Sequence, residues 1–145
     1  MRRRLFLDTG FLIALEAADD QYHHIALAHW KNLTQSLPRM VTTSYIFDEI
    51  VTFFNSRSRH NKAVDVGNLL LASPSIQFIH VDETLFHEAW HDFIQHSDKS
   101  YSLTDCASFI TMKRLRIRTA LTFDNHFVQA GFAKEPEITG GTVRH

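Results

Sequence analysis

Four acidic residues stand where chemistry could use them: Asp8, Glu49, Asp105 and Asp124. Asp8 ends a short apolar run, residues 5–7. Glu49 lies about one turn into the apolar helical pattern behind a second run, residues 40–43. Asp105 falls in the first turn of a later helical pattern, and Asp124 follows a further run, residues 119–122. Carboxylates brought together repel, and some stay protonated unless a cation sits among them. An all-oxygen set suits Mg²⁺ or Mn²⁺, with water completing the coordination. Such an ion activates water and neutralises charge on a phosphoryl group, and a second ion stabilises the leaving oxygen. The chemistry implied is phosphodiester hydrolysis.

Each acid also has a simpler reading. Asp8 and Asp124 could cap the helices behind them. Asp105 could be the acid of a capping box, because Ser102-Leu103-Thr104-Asp105 fits that pattern. Glu49 is harder to explain away. Ile46, Ile50 and Phe53 are its neighbours at helical spacing, so it borders an apolar face, whereas Asp48 aligns with Tyr45, Thr52 and Asn55 on the polar side. A carboxylate at the edge of a core needs a partner, and no Lys or Arg is the obvious one, which leaves room for a metal ion.

A second motif competes. His87-Glu88-Ala89-Trp90-His91 matches the H-E-x-x-H pattern of zinc metalloproteases. Two His at i and i+4 can share a zinc ion, with the Glu as base. Against this, Leu85, Phe86, Ala89, Trp90, Phe93 and Ile94 are expected to form the buried face of that helix. His87, Glu88, His91, Asp92 and Gln95 then lie mostly on the wet side, and no third ligand suggests itself. A zinc metalloprotease is therefore the remote alternative. His23, His24 and His29 read as surface residues, and Cys106 as a small core residue with no activating pair.

The elements that must position the acids alternate. Strands are expected at residues 5–7, 40–43, 76–81 and 119–122, with a last edge strand at 137–139 and a loose tail behind it. Helical patterns fill the intervals. One carries Phe11, Leu12 and Leu15. Asp19 and Asp20 open another, which Pro38 closes. Ser44 is the expected cap of the helix bearing Glu49, a polar break follows at 56–62, and a helix runs over 63–72. Asp82 caps a helix to about residue 96, and Ser102 caps one through about 115. A short helix spans 124–130 and ends at Gly131. Such alternation implies a mostly parallel sheet of four to five strands covered on both faces, with all four acids at its carboxyl edge.

The 145 residues suit a single domain, 1–145, with a real core; 44% are hydrophobic and 21% charged. A net charge of -1 provides no global basic field for nucleic acid, so any such contacts would need local patches. Arg57, Arg59 and Lys62 are the candidates for holding a phosphate backbone. The single Cys fits a reducing cytoplasm. Residues 2–15 look superficially like a leader, but Asp8 and Glu16 interrupt the apolar stretch, and no run is long enough to span a bilayer.

LFLDTGFLIAL, VTTSYIFDEIVTFF, SLTDCASF and LTFDNHF, in that order, resemble the four acidic motifs of the PIN-domain family. The spacing and the trailing Gly131-Phe132 are most similar to the VapC-type toxins of toxin–antitoxin pairs. The resemblance covers nearly the whole chain; each tetrapeptide is weak alone, and the ordered set is strong. It implies a three-layer α/β/α fold and a Mg²⁺- or Mn²⁺-dependent ribonuclease, often a homodimer, with a cognate antitoxin. Asp8, Glu49, Asp105 and Asp124 fall on the family's metal-binding and catalytic acids, and Thr9, Ser102 and Thr122 on polar positions beside them. Some members carry a further acid shortly after the fourth; Asn125 and His126 stand there. The alternative from another class is a catalytically inactive module that binds RNA or protein without cutting.

Overall fold

Five strands form one sheet in the computed structural model, which describes residues 3–36 and 38–138. They are β1 (Arg4–Leu7), β2 (Arg39–Thr43), β3 (Ile76–Ile79), β4 (Thr119–Leu121) and β5 (Ala133–Glu135). Their order across the sheet is β3-β2-β1-β4-β5, and every neighbouring pair is parallel. The described helices are α1 (Thr9–Glu16), α2 (His23–Thr34), α3 (Ser44–Ser56), α4 (His60–Ala72), α5 (Glu83–Gln95), α6 (Leu103–Leu115) and α7 (His126–Gln129). The result is the expected three-layer α/β/α arrangement.

Leu5, Phe6 and Leu7 are fully buried, as a central parallel strand covered on both faces requires. Around them pack Phe11, Ile46, Phe54, Met112 and Phe127. The chain winds outward from β1 through β2 to β3, then returns to the other side of β1 for β4 and β5. That reversal opens a crevice at the carboxyl ends of β1 and β4. Among the described residues no helix is long and apolar enough to cross a membrane.

Several boundaries differ from expectation for local reasons. Asp19 and Asp20 precede a turn rather than opening α2; Asp20 Oδ1 accepts the Tyr22 amide at 2.9 Å, and the helix starts at His23. Thr43, not Ser44, caps α3, its hydroxyl accepting the Ile46 amide at 3.3 Å. Ser44 Oγ instead accepts the Val81 amide at 2.8 Å and ties α3 to the exit of β3, which ends at Ile79. The last strand is Ala133–Glu135; Glu137 and Ile138 lie beyond it, while Thr139 and the tail expected to be loose lie outside the described residues.

The largest correction concerns α5. Only Leu85 and Ala89 of its expected buried face are buried; Phe86, Trp90, Phe93 and Ile94 are exposed, Trp90 at 47% and Ile94 at 56%. The apolar arc of α5 is wider than the edge it packs against α6.

Candidate active site

At the carboxyl end of β1 the chain turns directly into α1. Asp8 occupies the cap position, but its side chain makes no capping hydrogen bond. It accepts instead from Thr122 Oγ1 at 2.7 Å. Parallel pairing of Leu7 with Leu121 sets these two residues, each one step past its strand, side by side. Asp8 is only 7% exposed. Burial pushes its carboxyl up to about 7; the Asp105 and Asp124 charges add to the rise, while the Thr122 hydroxyl and the Thr9 amide oppose it. Near neutrality a proton and a cation would therefore compete for Asp8.

The partner that Glu49 needed is a hydroxyl from α1: Thr9 Oγ1 donates to Glu49 Oε1 at 2.6 Å. Asp48 faces out, as its helical position requires. Asp105 does complete a capping box with Ser102, each of the two hydrogen bonds being 3.0 Å long. Capping does not exhaust it, because Asp105 Oδ2 also lies 3.0 Å from His126 Nδ1. Asp124 is not the cap of α7, since Asn125 takes that place. Its Oδ1 accepts the His126 amide at 2.9 Å, its own amide donates to Thr122 Oγ1 at 3.0 Å, and its Oδ2 lies 3.1 Å from His126 Nδ1.

One hollow of about 380 Å³ is lined by all four acids together with Thr9 and Ser102. Thr122 sits behind it, against Asp8. Gly10, Ser100, Phe123 and His126 complete the lining. Sequence reasoning assigned His126 no role, although it stands in the region where the family resemblance places a further acid. Arg57, Arg59 and Lys62 do not line the hollow. The Arg57 guanidinium lies 3.7 Å over the Phe53 ring and that of Arg59 5.1 Å over Phe54, while Lys62 pairs with Glu16 at 2.9 Å.

The donor set fits a divalent ion. Asp105, Asp124 and His126 each bring one ligand atom, and these atoms all lie within 4.8 Å of one another, beside a buried Asp8 that resists ionising. A larger cleft of about 560 Å³ between α1, α2 and α4 is apolar, with Glu16 its one titratable side chain among the described residues, so it offers no ligand set like that of the smaller hollow. The competing His87 and His91 are exposed, Glu88 is paired with Arg114, and the pair acquires no third ligand among the described residues. Burial pushes the Cys106 thiol up to about 12, with a hydrogen bond to Asp92 adding to the rise, which leaves no thiolate for nucleophilic work.

Residues 5–133 match the family model described as the PIN domain. The chain is 32% identical over 130 residues to the "23S rRNA-specific endonuclease VapC20" of Mycobacterium tuberculosis, covering 90% of this chain and 96% of that protein. The crystal structure of that VapC20, described as a sarcin-ricin loop cleaving toxin, superposes with a TM-score of 0.80 over 89% of this chain and 96% of its own. FitAcB of Neisseria gonorrhoeae shares the fold at 17% identity, with a TM-score of 0.64 over 90% of this chain and 95% of its own. VapBC-1 of nontypeable Haemophilus influenzae does so at 14%, with a TM-score of 0.62 over 91% and 96%. This protein belongs to the PIN-domain family.

Proposed function

We propose that the protein is a divalent-metal-dependent endoribonuclease and the toxin of a type II toxin–antitoxin pair. The observation that carries this reading is the convergence of Asp8, Glu49, Asp105 and Asp124, from four separate parts of the chain, on one hollow. The similarity to an rRNA endonuclease points to RNA as the substrate, cut in a single-stranded or loop region.

Bound among the carboxylates, Mg²⁺ or Mn²⁺ supplies water activation and charge neutralisation at the phosphate. The chain's own residues keep the ligands in place. Thr122 orients Asp8, Thr9 orients Glu49, the capping box fixes Asp105 in the first turn of α6, and the turn at His126 fixes Asp124. Such supporting contacts set both the position and the basicity of metal ligands. Arg57, Arg59 and Lys62, off to one side, serve the backbone of a longer RNA rather than the scissile phosphate.

The partners that go with this reading are RNA, a cognate antitoxin and a second copy of the chain, all in the cytoplasm, with residues 1–145 acting as one unit. The exposed apolar face of α5 supports self-association. Asp8→Asn tests the catalytic assignment, since the amide keeps the side chain's shape but cannot carry the charge. With 23S rRNA and unstructured RNA as substrates under Mg²⁺ or Mn²⁺, the variant is expected to yield no products while retaining its fold. Full activity in it would remove the basis of the proposal.

A further inference from the structure

We propose that His126 is itself a ligand of the ion at Asp105 and Asp124, through Nδ1, and that it biases the site toward a first-row transition ion, Mn²⁺ before Mg²⁺. The inference rests on the metal-dependent reading above. Its own observation is the setting of the His126 ring, which adds a fifth side chain to the four acids that suggested that reading.

His126 Nδ1 faces two carboxylates at once, 3.0 Å from Asp105 Oδ2 and 3.1 Å from Asp124 Oδ2. For bonds of about 2.0–2.2 Å, neighbouring ligands of an octahedral ion stand about 3 Å apart, so these spacings suit ligation as well as hydrogen bonding. The opposite side of the ring is also engaged. Nε2 lies 3.1 Å from Ser100 Oγ, and the Tyr101 ring packs edge-on against the imidazole with 5.4 Å between centroids. A metal-bound imidazole carries its proton on the other nitrogen and gives it to an acceptor that fixes the ring; Ser100 Oγ is positioned as that acceptor. The ring is thus aimed and held by groups that an idle surface histidine would not need.

The consequence is selectivity. Mg²⁺ demands hard oxygen ligands and keeps much of its water. Mn²⁺ accepts carboxylates as readily and tolerates imidazole nitrogen better, in keeping with its place among the transition ions. Among the described residues His126 is the one imidazole lining the hollow, so a nitrogen signal that disappears when it is replaced identifies it.

Pulsed electron paramagnetic resonance on the full chain loaded with Mn²⁺ reads that signal directly, without any measure of activity. Nitrogen modulation is expected in the wild type and is lost in His126→Ala. In parallel titrations the wild type should bind Mn²⁺ more tightly than Mg²⁺, and His126→Ala should weaken Mn²⁺ binding by roughly ten- to a hundredfold. His126→Asp, which restores an oxygen ligand, should recover affinity but with the preference shifted toward Mg²⁺. Mn²⁺ binding without nitrogen modulation, at an affinity unchanged in His126→Ala, overturns the role of His126 and leaves the acidic metal site standing. Failure of the wild type to bind either ion overturns that site and this inference together.

Discussion

Asp8 carries two costs that a bound cation would offset: burial of its charge, and repulsion from Asp105 and Asp124. Its folded-state value of about 7 is raised from an ordinary 3.8. Protonated Asp8 therefore stabilises the metal-free fold. That contribution is fully present below the ordinary value and is lost as pH rises through about 7. A tenfold change in proton affinity is worth about 1.4 kcal/mol, so the loss is on the order of a few kcal/mol. In EDTA, urea unfolding at pH 4.5 and pH 8 should show the wild type falling in stability relative to Asp8→Asn as pH rises. A saturating divalent ion should remove the difference at pH 8. Equal pH dependence in the two proteins would show that Asp8 is not held protonated by its surroundings.

At the level of elements, the site depends on how helices begin. α6 starts with a complete capping box, and its acid is also a residue of the hollow, so one first turn both caps the helix and presents a carboxylate to the hollow. Ser102→Ala removes the hydroxyl that accepts the Asp105 amide and should cost about 1 kcal/mol of stability, measured by urea unfolding. α1 and α3 meet through Thr9 and Glu49, so the first turn of α1 is locked to the second turn of α3. α5 is held differently. It packs through Leu85 and Ala89 and leaves Phe86, Trp90, Phe93 and Ile94 to solvent.

That uncovered face matters for the whole molecule. If it joins two copies, Trp90→Glu should convert a dimer to a monomer by light scattering while changing monomer stability by no more than about 0.5 kcal/mol, because the ring is exposed. A second whole-molecule property is the distribution of charge. Net charge is near zero, so on the proposed function RNA would be held by a few cations rather than by a broad field. In an Asp8→Asn background, replacing both Arg57 and Arg59 by Ala should weaken RNA binding and make its salt dependence shallower, by about one to two in the log–log slope. Fluorescence anisotropy at several salt concentrations checks this, and an unchanged slope would remove these residues from the RNA path.

By itself the sequence determined the alternation of strand and helix, the capping box at Ser102, the cap at Asp82, and the four acids at strand ends and in early helical turns. These follow from hydrophobic period and from contacts within a few residues, which a linear chain displays. Only the tertiary structure decided that β4 lies beside β1, so that Thr122 reaches Asp8, and that Thr9 rather than a base answers Glu49. It also decided that His126 turns its ring between two carboxylates, and that the apolar arc of α5 stays uncovered. Periodicity says that a face is apolar or that a residue is polar. Which surfaces meet is set by packing between segments far apart in the chain, and no local pattern encodes that.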